Sequence, residues 1–171
     1  MQRINRILST AIVFLLGTLW MQAQYSFTAK DVEAKKGETV KLAIDMNNND
    51  VKVTSFQFDL YLPKGVTVEL DEYEEPVAEL SSRKADHVIA TAIQGDGACR
   101  FLSYSNRNRV FSGTSGEILS TNIIVNAEPG EYEIKIKGGY ITQSETFSEF
   151  DCVETTAKLT VVAPVESVTF D

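Results

Sequence analysis

Apolar and polar residues alternate with a period of two along much of the chain. The alternation is clearest over residues 39–46, 53–62 and 131–138. Strict alternation is typical of a half-buried β-strand, because successive side chains of a strand point to opposite faces of the sheet. The pattern predicts nine strands, at residues 25–29, 39–46, 53–62, 66–70, 87–93, 100–105, 117–125, 131–141 and 155–162.

Short clusters of glycine, proline, asparagine and aspartate separate the predicted strands. Such residues favour tight turns, as at 36–38, 63–65 and 129–130. Many short strands, frequent turns and few helical periods predict an all-β fold, an antiparallel sandwich of two sheets. Residues 71–86 fit this pattern least, because they are acidic and contain a proline. They predict a long surface loop or one short helical turn at 77–82.

The N-terminus has the pattern of a secretory signal peptide. Two arginines precede a mostly apolar run over residues 7–20, and a small residue, Ala23, follows it. The run is shorter than the ~20 apolar residues of a transmembrane helix. We expect residues 1–23 to be removed during Sec-dependent export, which leaves no membrane span in the mature chain. The mature protein would be extracellular, attached to the cell surface or periplasmic.

The remaining chain is long enough for one domain, which we place at residues 24–162. Pro164 interrupts the last strand, so residues 163–171 read as a linker or the start of another module. The net charge of −8 argues against nucleic acid as a partner, because an acidic surface repels phosphates. Cys99 and Cys152 are the only cysteines, and their positions leave both a disulfide and two free thiols open.

Candidate catalytic and metal-binding motifs are incomplete. The stretch 113–117 resembles a nucleophile elbow around Ser115, but the second glycine of that motif is missing. His87 is the only histidine, so we expect neither a catalytic triad nor a zinc site. The clusters 47–50 and 95–97 could supply oxygen ligands to calcium, but they lack the spacing of a calcium loop and are better explained as turns. The sequence predicts no cofactor.

Several segments, taken in order, resemble the cohesin-like family of bacterial extracellular modules. The segments that carry the resemblance are Lys35–Val40, Val53–Val66, Gly113–Leu119 and Pro129–Tyr132. The likeness covers most of residues 25–162. The stretches at 82–87 and 111–119 are also similar to modules of large secreted proteins from gut Bacteroidetes.

The resemblance implies a nine-stranded jelly-roll sandwich that binds another protein and catalyses nothing. Cohesins bind dockerin modules through one sheet face, using polar side chains of their third strand. Carried over to this chain, the outward row is Ser55, Gln57, Asp59 and Tyr61, with Tyr104 nearby. The partner would be another secreted protein module, in an assembly linked to polysaccharide use.

The sequence also allows other binding residues and two other functions. Arg107 and Arg109 lie on a predicted loop and could contact an acidic partner. A carbohydrate-binding module is one alternative, since related jelly rolls include such modules. Its sugar-stacking residues would be Tyr73, Tyr104 and Tyr140, because no tryptophan follows residue 20. A small secreted hydrolase is the second alternative, although no catalytic carboxylate pair can be placed.

Overall fold

The computed structural model describes residues 24–163; the predicted signal peptide and the tail from residue 164 lie outside the described residues. The described chain is all β. Its strands are β1 (Tyr25–Ala29), β2 (Val32–Lys35), β3 (Glu38–Asn47), β4 (Val53–Tyr61), β5 (Val66–Val68), β6 (Ala78–Leu80), β7 (Val88–Ile93), β8 (Cys99–Tyr104), β9 (Glu117–Val125), β10 (Gly130–Gln143), β11 (Glu149–Val153) and β12 (Thr155–Val162).

The strands form a sandwich of two layers. The front sheet has the order β7-β8-β4-β10-β12-β2. The back sheet consists of β1, β3 and β9, with β5 and β6 one after the other along the free edge of β9. Strand β11 joins the layers, because it pairs with β10 on one side and with β1 on the other. Most pairs are antiparallel; β1–β11 and β2–β12 are parallel.

Each of the nine predicted strands is present, but the count of nine is too low. The structure adds β2, β6 and β11, which have four, three and five residues. Strands this short contain too few residues for alternation to stand out. The predicted helical turn at 77–82 is wrong, because residues 78–80 pair with β9 as a strand. The pairing with β9 satisfies backbone groups of this segment at the sheet edge.

Phenylalanines from both sheets fill the centre of the core. Phe27 of the back sheet lies against Phe56 and Phe58 of β4, with ring centroids 5.3 and 4.7 Å apart. Phe58 in turn contacts Phe101 at 5.3 Å, and all four rings are fully buried. Burying each such side chain contributes about 1.5–3 kcal/mol. The alternation in β4 therefore fixes which residues of that strand face outward.

A β-bulge in β10 changes which residues of this strand face the core. Ile134 and Ile136 point inward, but after the bulge it is Ile141 that is buried. The extra residue lies at Gly138 and Gly139. A Cβ at Gly139 would come within 3.1 Å of Phe27 and of Cys152, so these neighbours would have to shift to admit a side chain. The bulge turns the even-numbered residues after it toward the outer surface.

Both cysteines are free thiols. Cys99 begins β8 in the front sheet, whereas Cys152 pairs with Tyr25 at the junction of the two layers. Burial raises the pKa of Cys99 to about 11 and that of Cys152 to about 12. Over residues 24–163, no helix has the length and apolar character that crossing a membrane requires.

Candidate functional site: the outer face of the front sheet

The outward side chains of β7, β8, β4 and β10 form one continuous surface, which we call the front face. The strand register aligns them in rows across the sheet. The rows are Val88–Tyr104–Ser55–Thr142, Ala90–Leu102–Gln57–Tyr140, and Ala92–Arg100–Asp59–Lys137, followed by Tyr61–Lys135 at the end.

The row predicted on β4 does face outward. Ser55, Gln57 and Tyr61 are half-buried, while their neighbours Phe56, Phe58 and Leu60 are fully buried. Asp59 also lies on the outer side but is only 8% exposed. An outward carboxylate can be this buried only if a neighbouring side chain covers and neutralises it.

Arg100 of β8 covers Asp59. Its Nε and one terminal nitrogen donate to Oδ1 and Oδ2 of Asp59, both at 2.7 Å, in a bidentate pair. The bond to Asp59 raises the pKa of Arg100. Planar pairs of this kind are stronger and more directional than ordinary hydrogen bonds. The pair lies in the charged half of the front face, and both carboxylate oxygens of Asp59 are bonded within the chain.

The charged groups beside this pair are also satisfied within the protein. The Tyr61 hydroxyl donates to Oδ2 of Asp96 at 2.9 Å, and this bond raises the pKa of Tyr61. The Lys137 ammonium lies 5.7 Å from the centre of the Tyr61 ring and 3.8 Å from Glu154. This end of the front face is therefore a network of paired charges.

The opposite half of the front face carries no charge. Its two rows contain Val88, Ala90, Leu102, Tyr104 and Tyr140, together with the polar Ser55, Gln57 and Thr142. Val88 is 43% exposed and Tyr104 is 39% exposed. The sequence analysis does not predict Leu102 as a surface residue, although it lies two residues from Tyr104 and so on the same face of β8. A surface of small, aliphatic and aromatic residues is typical of the centre of a protein interface.

The dimensions of the front face suit a modest contact. Neighbouring strands lie ~4.8 Å apart, and alternate residues along a strand lie ~6.7 Å apart. Four strands and three rows therefore cover roughly 400 Å², about half of the ~800 Å² that each partner contributes to a standard interface. An interface of standard size on this face would need the loops at the ends of the strands to contribute the rest of the area.

The loop after β8 extends the uncharged half. Its predicted binding residues, Arg107 and Arg109, are both exposed. The backbone N–H groups of both donate to the Ser105 hydroxyl, which itself donates to Asp86 at 2.6 Å. Asp86 also lies 3.9 Å from Nε of Arg107. Arg109 makes no ion pair among the described residues, so its charge is available to a partner.

Arg83 holds the far side of this loop. The guanidinium, with the residue only 9% exposed, donates to the carbonyl oxygens of Met46, Ser112, Gly113 and Gly116 and to Oδ1 of Asn48. These five bonds measure 2.7–3.1 Å. Burial lowers the pKa of Arg83. One side chain thus ties the segment before β7 to the loop between β8 and β9.

His87 and Tyr73 lie away from the front face. The His87 ring is buried against Phe111, with centroids 3.5 Å apart, and its Nδ1 accepts the N–H of Ala85. Tyr73 is 75% exposed, but it lies on the acidic segment between β5 and β6. Of the three tyrosines considered for sugar stacking, the structure brings only Tyr104 and Tyr140 together.

A shallow groove on the back sheet contains Ser115. Its volume is about 540 Å³, and Glu79, Glu117, Lys41 and Arg83 also line it. Glu117 lies 3.9 Å from Lys41. Ser115 has no histidine beside it in this groove, so the groove does not assemble a nucleophile with its base.

The comparisons with known proteins agree with this architecture. No protein-family model matches the sequence, and no curated protein matches it either. A non-cellulosomal cohesin from Archaeoglobus fulgidus superimposes with a TM-score of 0.66 at 16% identity, over 82% of this chain and 93% of that one. The chain has the cohesin fold.

Two further cohesin structures show the same likeness. The cohesin module of a Clostridium perfringens family 33 glycoside hydrolase has a TM-score of 0.64 at 12% identity, over 82% of this chain and 98% of that one. The sixth cohesin of Acetivibrio cellulolyticus scaffoldin B, solved with a Cel5 dockerin, has a TM-score of 0.65 at 14% identity, over 81% and 99%. These identities establish the fold of the chain.

Proposed function

We propose that this protein is a non-catalytic module that binds another protein through its front face. The observation that carries the proposal is the contrast within this face. One half is a network of internally paired charges around Asp59 and Arg100, and the other half is uncharged and partly exposed. Desolvating uncharged side chains costs little, whereas paired charges at the margin add specificity.

The cohesin fold supports a protein module as the partner. The scaffoldin B cohesin was solved in complex with a dockerin. We propose a partner of comparable kind, a small module that lays one face over β8 and β4. Acidic groups of the partner would bind Arg107 and Arg109 at the rim of the interface. The centre of the interface would be formed by Ser55, Gln57 and Tyr104.

The proposed setting is an exported assembly. The signal-peptide pattern of residues 1–23 supports export to the cell surface or medium. The neighbours include a module of a glycoside hydrolase, which supports a link to polysaccharide use. The chain would then serve as a scaffold for a partner that carries the chemistry.

A pair of matched variants tests the binding surface. Leu102 and Ile124 are half-buried aliphatic residues that face outward, the first on the front sheet and the second on the back sheet. The immobilised protein is exposed to proteins from the cells and medium of the organism that makes it. We expect Leu102→Asp to abolish capture of the partner and Ile124→Asp to leave it unchanged. Equal loss with both variants, or with neither, would contradict the assignment of this face.

Glycan binding is the second candidate, because Tyr104 and Tyr140 share the front face. Their rings could stack on the apolar faces of sugars. Calorimetric titration with soluble plant and microbial polysaccharides tests this function. Heat of binding that is lost in Tyr104→Ala and Tyr140→Ala would favour it over protein binding, and absence of heat with all glycans would reject it.

A further inference from the structure

Strand β7 forms an open edge of the front sheet. Its six residues, VIATAI, contain no charge and no proline. They pair with β8 from Val88 to Ile93 without a register shift. Val88 and Ile93, at its two ends, are 43% and 47% exposed. Strand β6 lies near β7 but pairs with β9, so β8 is the one hydrogen-bonded neighbour of β7 among the described strands.

Edges of this kind are usually protected. Soluble proteins place lysine, proline or a bulge on an edge strand, or shorten it, because unpaired N–H and C=O groups attract another strand. The other short edges here follow that rule: β5 and β6 have three residues each. An uncharged, regular edge of six residues is therefore a surface suited to strand pairing.

We propose that two copies of this chain associate by antiparallel pairing of β7 with β7 about a twofold axis. An isologous contact requires each residue to face a compatible residue of the other copy. Centred on Ala90, the pairing sets Val88 opposite Ala92 of the second copy and Ile89 opposite Thr91 of the second copy. Every pair is uncharged, and the small alanines allow the strands to approach closely.

The charges at the two ends of β7 favour this register. Lys84, before the strand, is exposed and makes no ion pair among the described residues. Asp96, after the strand, is also exposed; it accepts a hydrogen bond from the Tyr61 hydroxyl but forms no ion pair among the described residues. Antiparallel pairing centred on Ala90 directs the Lys84 end of each copy toward the Asp96 end of the other. A register centred on Thr91 would instead bring Asp86 toward Asp96 of the second copy.

The dimer would present two front faces on one continuous sheet. Partners with two binding sites would then gain avidity, because the second contact becomes intramolecular. The association itself follows from the edge alone and does not depend on which partner the front face binds. A six-residue pairing buries less than a standard interface, so we expect a weak dimer.

Sedimentation equilibrium over micromolar to millimolar concentrations tests the proposal. We expect the average mass to rise toward twice that of one chain. Ala90→Lys alone and Ala90→Glu alone place like charges opposite each other and should remain monomeric. An equimolar mixture of the two variants places Lys opposite Glu and should dimerise again. Circular dichroism checks that both variants are folded, as expected for an exposed alanine.

Three results would overturn the proposal. One is a wild-type protein that stays monomeric throughout the range. The second is either variant associating as strongly as the wild type. The third is a mixture that remains monomeric while the wild type dimerises. Amide hydrogen exchange gives an independent readout on the wild type alone: protection of residues 88–93 should increase with protein concentration, and unchanged protection would also overturn the proposal.

Discussion

Replacing Arg83 measures how much one buried guanidinium stabilises the loops behind the front face. Arg83→Met keeps most of the side-chain stem and removes all five hydrogen bonds. The bonds to the Met46 carbonyl and to Oδ1 of Asn48, at 3.0 and 2.7 Å, are fully buried. The other three are partly buried, so water can replace them, and the Gly116 carbonyl keeps the N–H of Met46.

The cost follows from the two buried acceptors. Each buried polar group left without a partner costs about 1–3 kcal/mol, so we expect Arg83→Met to lower the free energy of unfolding by about 2–6 kcal/mol. Domains of this size have total stabilities of about 5–15 kcal/mol, so the loss would be large. Arg83→Lys keeps the charge but lacks the planar fork of donors, and we expect an intermediate loss.

Urea denaturation measures these changes as shifts of the midpoint at constant slope. Arg109→Met is the matched control, because Arg109 is exposed and makes no ion pair among the described residues. We expect the control to change stability by less than about 0.5 kcal/mol. A neutral or stabilising effect of Arg83→Met would contradict this expectation. That result would mean that the cost of burying the cation exceeds the value of its five bonds.

Three further predictions concern His87, Phe147 and the two cysteines. Burial lowers the pKa of His87 below 6.5, so the unfolded chain binds its proton first as the pH falls. Stability should therefore decrease from about pH 6.5 downward in thermal melts, and His87→Gln should flatten that slope. Phe147 is 64% exposed and has a φ of +55°, a left-handed conformation that glycine adopts without strain. Phe147→Gly should therefore raise the free energy of unfolding by about 0.5–1 kcal/mol. A lower melting temperature of this variant would show that the backbone at position 147 is not strained. Cys99 and Cys152, with their raised pKa values, should react with iodoacetamide only after unfolding; a disulfide in the non-reduced mass would contradict the structure.

Period-two alternation is enough to predict the fold class and the outward row of β4. Core-facing phenylalanines at 56 and 58 force Ser55 and Gln57 to the surface, whatever the rest of the chain does. The same parity on β8 could have identified Leu102 and Arg100. The ion pair between Arg100 and Asp59 could not be predicted. It depends on the exact register between β4 and β8, which are far apart in the sequence.

Other parts of the site depend on interactions that cannot be inferred from the alternation of apolar and polar residues. Tyr140 faces outward only because the bulge at Gly138 and Gly139 shifts the parity of β10. Arg83 and His87 lie in an irregular segment, and their burial comes from loops that reach them across the fold. Sequence patterns predict strands well where burial is periodic. They do not predict the burial of a polar side chain whose hydrogen bonds go to backbone carbonyls.

Photo-crosslinking from single positions shows whether the front face is the binding surface. A photoreactive phenylalanine is placed at position 102 in one variant and at position 124 in another, and each is irradiated with proteins from the source organism's cells and medium. We expect a discrete protein adduct from position 102 and none from position 124. An adduct from position 124 alone, or no adduct from position 102, would show that the front face is not the binding surface.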